Sequence, residues 1–234
     1  MTTPTRFPAG VSTQKVNQTL GMFGQPDPTD PITDFNDFQQ YVAADWTVTN
    51  TTSHATVGLT VGAGGLISFV GGASSVTNDI AAIISTPLDF NFASTQQVWF
   101  YTGFKVTTAA NDQIQLGVTS ANSALTPSDG IYFNKAAGAS TIDFVVRKSS
   151  TSTTQSAVAT LVGATFIRLG FYYNGKDAVD VFVNDAKVYS QTVLTNLPTA
   201  TALATALGIK AASTAPTTSD LIVDFTMVAQ DRSY

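Results

Sequence analysis

The residues best suited to chemistry in this sequence are aspartates, because all 16 acidic residues are Asp and Glu is absent. Glycoside hydrolysis needs two carboxyl groups at a fixed separation, one of them with a raised pKa, and calcium binding needs several oxygen ligands on one loop. The aspartates that lie close together in sequence are Asp177, Asp180 and Asp185, and Asp27, Asp30, Asp34 and Asp37. Neither group has the alternate-residue spacing of a calcium loop, and Asp in such stretches favours turns and caps. We therefore predict no catalytic residue, no metal site, no cofactor and no enzyme activity.

The sequence also lacks the residues that nucleophilic catalysis and phosphate binding require. His54 is the single histidine and cysteine is absent, which excludes two-histidine metal sites, thiol catalysis and Cys-ligated zinc. No nucleophile motif surrounds His54, so we interpret it as a surface residue. The Gly-Ala-Gly-Gly stretch at 62–65 lacks the Lys and the following helix of a phosphate-binding loop, and a hairpin turn explains it better.

The charge balance argues against nucleic-acid and membrane partners. Charged residues make up 12% of the 234-residue chain and the formal net charge is -5, whereas binding to phosphates needs clustered Lys and Arg. The most apolar runs, 80–84 and 166–173, are far shorter than the roughly 20 residues that span a bilayer. The N-terminal residues also lack the apolar stretch of a secretory signal, so we expect a soluble protein made in the cytoplasm.

Three aromatic residues are candidates for binding, because alternation places them away from the expected core. Trp99 and Tyr101 alternate with apolar residues in one strand-like run, and Tyr172 does so in another. Exposed Trp and Tyr rings bind sugars, and they also form contacts with a neighbouring subunit or with another segment of the chain. Ordinary burial is the third interpretation, and the sequence leaves all three open.

The elements that must position these residues are β-strands. Apolar and polar residues alternate with a period of two, and β-branched and aromatic types dominate. The clearest alternating sets are Val98/Phe100/Phe104/Val106, Ile114/Leu116/Val118, Ile142/Phe144/Val146, Val179/Val181/Val183 and Leu221/Val223/Phe225/Met227. Such runs, separated by turn residues, predict an all-β fold: a two-sheet antiparallel sandwich.

Local signals refine this fold at a few positions. Asn174-Gly175 lies between two alternating runs and predicts a hairpin. The best helix candidate is 199–207, although its Thr and Ala content also allows a strand. The segment 36–44 is a candidate for a single helical turn.

Residues 1–34 differ from the sandwich, which we assign to residues 35–234. This N-terminal segment holds five of the nine prolines, and its apolar residues follow neither a helical nor a strand period. Proline restricts its own backbone and pushes the preceding residue towards extended geometry. We interpret the segment as an extended arm, and a lead-in that packs along its own domain is the alternative.

One part of the C-terminal half has a distinctive strand-turn-strand pattern: Phe166-Ile167-Arg168-Leu169-Gly170-Phe171-Tyr172-Tyr173-Asn174-Gly175-Lys176, Val179-Asp180-Val181-Phe182-Val183-Asn184 and Lys187-Val188-Tyr189. It resembles the hairpin of concanavalin A-like and laminin G-like jelly rolls, which implies a jelly-roll-like sandwich. The resemblance implies a fold and says little about activity, since this sandwich carries lectins, glucanases and structural modules. Glucanases of this fold place Glu residues on one strand, and this sequence has none.

A broader resemblance is carried by further stretches together with this hairpin: Arg6-Phe7-Pro8-Ala9-Gly10-Val11, Phe23-Gly24-Gln25-Pro26-Asp27-Pro28-Thr29, Asp34-Phe35-Asn36-Asp37-Phe38, Tyr41 and Ala43-Ala44-Asp45-Trp46-Thr47-Val48. With these residues the chain resembles a family of tailed-phage virion proteins with an N-terminal arm and a jelly-roll body. It implies a structural component of the particle, of the capsid decoration or cement type.

Together these observations favour a non-enzymatic virion protein on the capsid surface, made in the host cytoplasm. Its expected partners are the major capsid protein and further copies of itself, and the resemblance favours a trimer. The residues expected to anchor the arm to the capsid or to a neighbouring subunit are Arg6, Phe7, Leu20, Met22 and Phe23. A carbohydrate-binding or receptor-binding module on the same fold is the alternative.

Overall fold

The structure, a computed structural model, describes residues 31–51, 55–62, 64–71, 79–87, 90–109, 112–121, 123–211 and 219–232. Within these ranges the chain forms fifteen β-strands and one short 3-10 helix, Ala43–Asp45. The strands are β1 (Ile32–Asn36), β2 (Trp46–Asn50), β3 (Thr56–Thr60), β4 (Leu66–Gly71), β5 (Ile80–Ser85), β6 (Val98–Val106), β7 (Gln113–Thr119), β8 (Gly130–Lys135), β9 (Thr141–Lys148), β10 (Thr151–Thr160), β11 (Ile167–Tyr173), β12 (Val179–Val183), β13 (Ala186–Gln191), β14 (Ala204–Lys210) and β15 (Ser219–Gln230). In this described part of the chain, no helix has the length and apolar character needed to cross a membrane.

The strands form two antiparallel sheets that pack face to face. The first sheet has the order β13-β12-β11-β6-β15-β4-β3, and β1 also pairs with β15. The second sheet has the order β10-β9-β8-β7-β14-β5-β2. This architecture confirms the predicted all-β, two-sheet jelly-roll-like sandwich.

The core lies between the two sheets, and strand alternation supplies its side chains. The inward residues of β6 are those that the sequence pattern predicted, each at most 1% exposed: Val98, Phe100, Phe104 and Val106. Within the first sheet, the rings of Phe100 and Phe171 stack with centroids 5.3 Å apart. Phe133 of the second sheet lies 6.4 Å from each of these rings and so joins the two sheets. Aromatic pairs at such distances add to the free energy of burial.

Two turns of the first sheet show how local sequence sets its hairpins. The hairpin predicted at Asn174-Gly175 is present, but its loop extends to residue 178. The side-chain oxygen of Asn174 accepts hydrogen bonds from the backbone N–H groups of residues 176–178, and Gly175 has φ 74. The two-residue turn lies instead at Asn184-Asp185, where φ is 48 and 69, since Asn and Asp tolerate left-handed backbone.

Several local expectations have a different outcome. The helix candidate 199–207 is not helical: β14 begins at Ala204, and Leu203 and Leu207 are fully buried because alternate residues face the core. The 3-10 helix occupies the end of the segment 36–44. Strand β1 begins at Ile32, inside the segment interpreted as an arm. The five arm anchors, from Arg6 to Phe23, and His54 lie outside the described residues.

Lys135, the last residue of β8, is a cation inside the core. It pairs with Ile114 of β7, whose side chain faces inward, and only 1% of Lys135 is exposed. Its Nζ donates to the backbone oxygen of Asp112 at 2.5 Å and to that of Ala136 at 3.4 Å. Burial lowers the pKa of the Lys135 ammonium to about 8, while the charge of Asp112 acts in the opposite sense. The buried charge therefore opposes folding at neutral pH.

This lowered pKa predicts a stability that depends on pH. An ordinary lysine keeps its proton to about pH 10.5, whereas Lys135 loses it above about pH 8 in the folded protein. The unfolded chain therefore binds more protons between these values, and the free energy of unfolding rises with pH. Urea denaturation should show a gain of roughly 2 kcal/mol from pH 7 to pH 9.5, and Lys135→Met should remove most of it.

The matched control is Lys176→Met, which alters an exposed lysine of the β11–β12 loop. This variant should keep the rise in stability. The same rise in Lys135→Met as in the unaltered protein would contradict the assignment of the pH dependence to the buried ammonium.

Candidate functional site

The outer face of the first sheet carries partly exposed, large apolar side chains on its central strands. Alternation in β6 and β11 turns the three aromatic residues singled out from the sequence away from the core, and β1 and β15 add further apolar residues to the same face. We name the following six residues the aromatic face: Phe35, Trp99, Tyr101, Tyr172, Phe225 and Met227. The candidate site is thus a sheet surface.

Strand register places these residues in adjacent rows. Phe35 pairs with Met227, which pairs with Tyr101, and in the next row Trp99 pairs with Tyr172. Phe35 is 58% exposed, and the other five residues of the aromatic face are partly exposed. The aromatic face therefore forms a strip that runs from β1 across β15 and β6 to β11.

Ring contacts divide the aromatic face into two pairs. Trp99 and Tyr172 have ring centroids 5.3 Å apart, and Tyr101 and Phe225 have centroids 5.2 Å apart. Gly103 makes room for the second pair, because a Cβ atom there would come within 2.7 Å of the Phe225 ring. Two of the three aromatic residues predicted from the sequence, Trp99 and Tyr172, are therefore in contact with each other. The third, Tyr101, contacts Phe225 instead.

The sequence did not identify the contribution of β15 to this face. Its alternation predicted that Phe225 and Met227 lie on the same side as Val223. A register shift between Val223 and Phe225 inserts Asp224 as an extra residue, and a β-bulge of this kind sends every later side chain to the opposite face. Val228 consequently faces the core, fully buried, and Phe225 and Met227 face outward. No Gly or Pro marks the bulge in the sequence. The apolar residue at 228, which breaks the alternation set by Val223, was the signal that could have revealed it.

A buried carboxylate fixes one side of the aromatic face. Asp185, in the β12–β13 turn, is 5% exposed and accepts a hydrogen bond from the Tyr101 hydroxyl. Arg168 forms an ion pair with it at 2.5 Å. Burial raises the pKa of Tyr101, and the hydrogen bond to Asp185 and its negative charge raise it further, while Arg168 acts in the opposite sense. Tyr101 therefore stays a neutral donor that holds the turn against the sheet.

The Trp99–Tyr172 pair has an acidic border. The Tyr172 hydroxyl donates to the side-chain oxygen of Gln97 at 2.8 Å. Burial raises the pKa of Tyr172, and the negative charges of Asp231 and Asp180 raise it further. Asp180 also forms an ion pair with Lys187 at 2.7 Å. This end of the face combines two adjacent rings with amide and carboxylate groups.

The aspartates considered for catalysis have separate hydrogen-bonding roles. Asp180 and Asp185 form the ion pairs described above, and Asp177 accepts a hydrogen bond from Asn174. Asp34 accepts one from Thr205. Asp37 accepts one from the backbone N–H of residue 39, and Asp27 and Asp30 lie outside the described residues. Among the residues that the structure describes, no three or more His, Cys, Asp or Glu residues are grouped so as to hold a metal ion.

The outer face of the second sheet has a different character. Ala204 and Ala206 of β14 pack with Ile84 in a small buried cluster. Leu125, from the loop between β7 and β8, packs on Ala82 at another part of this face. The described apolar side chains on this outer face are small or covered. They form no aromatic strip like the one on the first sheet.

Solved structures of a lectin and of an enzyme share this sandwich. An endo-1,3-beta-glucanase from Streptomyces sioyaensis superposes with a TM-score of 0.63 at 10% identity, covering 89% of this chain and 99% of the enzyme. Peanut lectin gives a TM-score of 0.58 at 10% identity, covering 87% and 100%. At such identities the likeness shows the fold alone. A search of curated proteins by sequence gives no significant match.

A family model identifies the group to which the chain belongs. The solved structure of SO2946 from Shewanella oneidensis MR-1 has a TM-score of 0.60 at 17% identity, and the similarity covers 88% of this chain and 90% of that one. The model described as the SO2946-like, C-terminal domain matches residues 70–224, well over half of the sequence. This chain is therefore a member of the SO2946-like C-terminal domain family.

Proposed function

We propose that this protein is a non-enzymatic virion structural protein, a capsid decoration or cement protein that binds the lattice of the major capsid protein as a homo-oligomer, with a trimer favoured. The observation that carries the proposal is the aromatic face, with Phe35 58% exposed beside Met227 and Tyr101. Exposed apolar side chains that lie together on one surface mark sites of protein interaction, and here the exposed ring of Phe35 adjoins partly exposed apolar side chains. The aromatic face is the contact surface between subunits.

The chemistry of the aromatic face fits that of a protein interface. Trp, Tyr, Phe and Met are the residue types enriched at the centre of interfaces, whereas unpaired charges are depleted there. The two charged pairs beside the face, Arg168–Asp185 and Lys187–Asp180, already neutralise their members. Docking against this surface therefore requires little desolvation of free charge.

The arrangement of carboxylates supports a non-enzymatic role. Glu is absent from the sequence. Asp180 and Asp185, the candidates beside the aromatic face, are held in ion pairs with Lys187 and Arg168. A glycosidase needs two opposed carboxyl groups that are free to act on the substrate, and neither of these two is free. Elsewhere in the sandwich, burial raises the pKa of Asp224, and the charge of Asp37 raises it further.

The resemblance to tailed-phage particle proteins supports the proposed placement in a virion. That resemblance includes Phe35, which is part of the aromatic face, and the arm residues Arg6 and Phe23. Mass spectrometry and electron microscopy of purified particles would test it directly, together with cosedimentation of the pure protein with empty heads. Absence from particles, or failure to cosediment at micromolar concentration, would overturn the capsid role.

Phe35→Ser tests the aromatic face as a subunit contact. Burying a phenyl ring contributes roughly 1.5–3 kcal/mol, so its loss should weaken self-association by about 10- to 100-fold. The thermal midpoint should change little, because the ring is 58% exposed. Sedimentation velocity over a range of concentrations measures the effect.

Val162→Ser is the matched control, since Val162 is 64% exposed in the loop between β10 and β11. It should leave self-association unchanged. Equal association of the Phe35→Ser variant and the unaltered protein would remove the aromatic face from the interface.

Glycan binding is the second candidate function, and the Trp99–Tyr172 pair is the observation that favours it. Two adjacent rings with Gln97 and Asp180 beside them match the mixture of stacking and hydrogen-bonding groups that sugars require. The lectin and glucanase that share the fold are consistent with it.

A glycan array and a β-glucan hydrolysis panel separate the candidates. If the aromatic face serves assembly, the protein should show no specific retention on the array and no hydrolysis above blank. Specific retention that is lost in Trp99→Ala and kept in Val162→Ser would favour the glycan-binding function instead. Hydrolysis abolished by a single Asp→Asn change would contradict the non-enzymatic proposal.

A further inference from the structure

We propose that residues 1–30 of a second copy of this chain cover the aromatic face, so that exchanged N-terminal segments hold the homo-oligomer together. This inference rests on the proposed homo-oligomeric function and specifies which part of the chain occupies its contact surface. Four observations carry it: the place where the described chain begins, the apolar residues of the N-terminal segment, the charges on both sides and the spacing of its prolines.

The described chain begins at the border of the aromatic face. Strand β1 pairs with β15, and Ile32 lies opposite Gln230. Thr33 occupies the same row as Trp99, separated from it by Ala229. The preceding residues therefore reach the molecule beside the Trp99–Tyr172 pair. Thirty residues span up to about 100 Å when extended, whereas the six strands from β1 to β13 are only about 24 Å wide.

The N-terminal segment contains apolar side chains suited to this surface. Phe7, Leu20, Met22 and Phe23 lie within it, and they are too sparse and irregular to form a core of their own. The aromatic face offers the flexible Met227 and the partly exposed rings of the two pairs. Contact between these sets removes apolar surface on both sides from water.

Charge is complementary between the segment and the acidic border of the face. Within the segment, residues 1–25 contain Arg6 and Lys15 and no acidic residue, and its two aspartates, Asp27 and Asp30, lie at the end next to β1. At the border, the carboxylate of Asp231 lies close enough to Tyr172 to raise its pKa, whereas the neighbouring Asp180 is already paired with Lys187. Opposite charges at the rim of an interface favour the correct orientation and faster association.

The proline spacing favours a second copy over the segment's own sandwich. Pro26, Pro28 and Pro31 restrict the backbone just before β1, and each disfavours helical geometry in the residue before it. The direction of β1 from Asn36 back to Ile32 points past the Gln230 end of the sheet, so a segment that kept this direction would leave the face of its own copy. The restricted backbone also loses less entropy when it docks.

Disulfide trapping in the full-length protein tests this arrangement, and the chain has no native cysteine to interfere. Leu20→Cys and Met227→Cys are prepared as separate variants, one with a tag that shifts its gel mobility, and are mixed in a glutathione redox buffer. We expect a disulfide-linked heterodimer on a non-reducing gel. Leu20→Cys mixed with Thr154→Cys, an exposed position on β10 of the second sheet, should give little heterodimer.

A second measurement uses the position of the two tryptophans. Trp46 is 7% exposed, so in a Trp46→Phe background the fluorescence reports on Trp99 in the aromatic face. Replacing Met22 and Phe23 together with Ser should make Trp99 more accessible to acrylamide and raise the dissociation constant of the oligomer about 100-fold. Replacing Thr2 and Thr3 with Ala should change neither.

The other possible results of these two experiments would contradict the inference. A doubly substituted Leu20→Cys/Met227→Cys protein that forms only an intrachain disulfide would show that the segment covers its own copy, and would overturn the exchange. No disulfide, together with unchanged quenching of Trp99, would exclude the segment as the occupant of the face. Either result in a protein that still forms oligomers and cosediments with empty heads would refute this inference and leave the proposed function intact.

Discussion

The hydrogen bonding of β15 is the constraint on which the first sheet depends. This strand of 12 residues pairs with β6 along one edge and with β4 and then β1 along the other. Buried backbone donors and acceptors must be paired, so without β15 three strands would face one another across an unfilled gap. The bulge at Asp224 lets one strand serve two purposes, because Val223 and Val228 fill the core while Phe225 and Met227 reach the surface. The aromatic face is thus a consequence of how this sheet is closed.

Most of the charge near the aromatic face is paired within the molecule. Arg168 with Asp185 and Lys187 with Asp180 form ion pairs on neighbouring strands, and Tyr101 is tied to the first pair through its hydroxyl. These contacts hold the β12–β13 hairpin against β6 and β11, and they leave an apolar strip beside neutralised charges. A surface with these properties is rigid, so a partner that docks on it loses little entropy from the sandwich itself.

Strand alternation predicted the fold class and the core positions of β6, because a sheet with one buried face imposes a period of two on the sequence. It also predicted the outward direction of Trp99, Tyr101 and Tyr172. It did not predict the full aromatic face. The bulge at Asp224 carries no residue type that marks it, and the pairing of Phe35 with Met227 joins positions far apart in the chain. Register across such distances is decided by tertiary packing, which local sequence does not encode.

The position of β15 in the chain has a consequence for synthesis. The partners of this strand are made first, and about 180 residues separate the end of β1 from the start of β15, which corresponds to about 10–40 s of translation at roughly 5–20 residues per second. During that interval β1, β4 and β6 have no central strand to join, whereas the consecutive strands β7 to β10 can pair as they emerge. Open strand edges are templates for pairing with other chains. On a crowded polysome, the edges of β1, β4 and β6 that β15 later covers are therefore open to neighbouring nascent chains until β15 emerges.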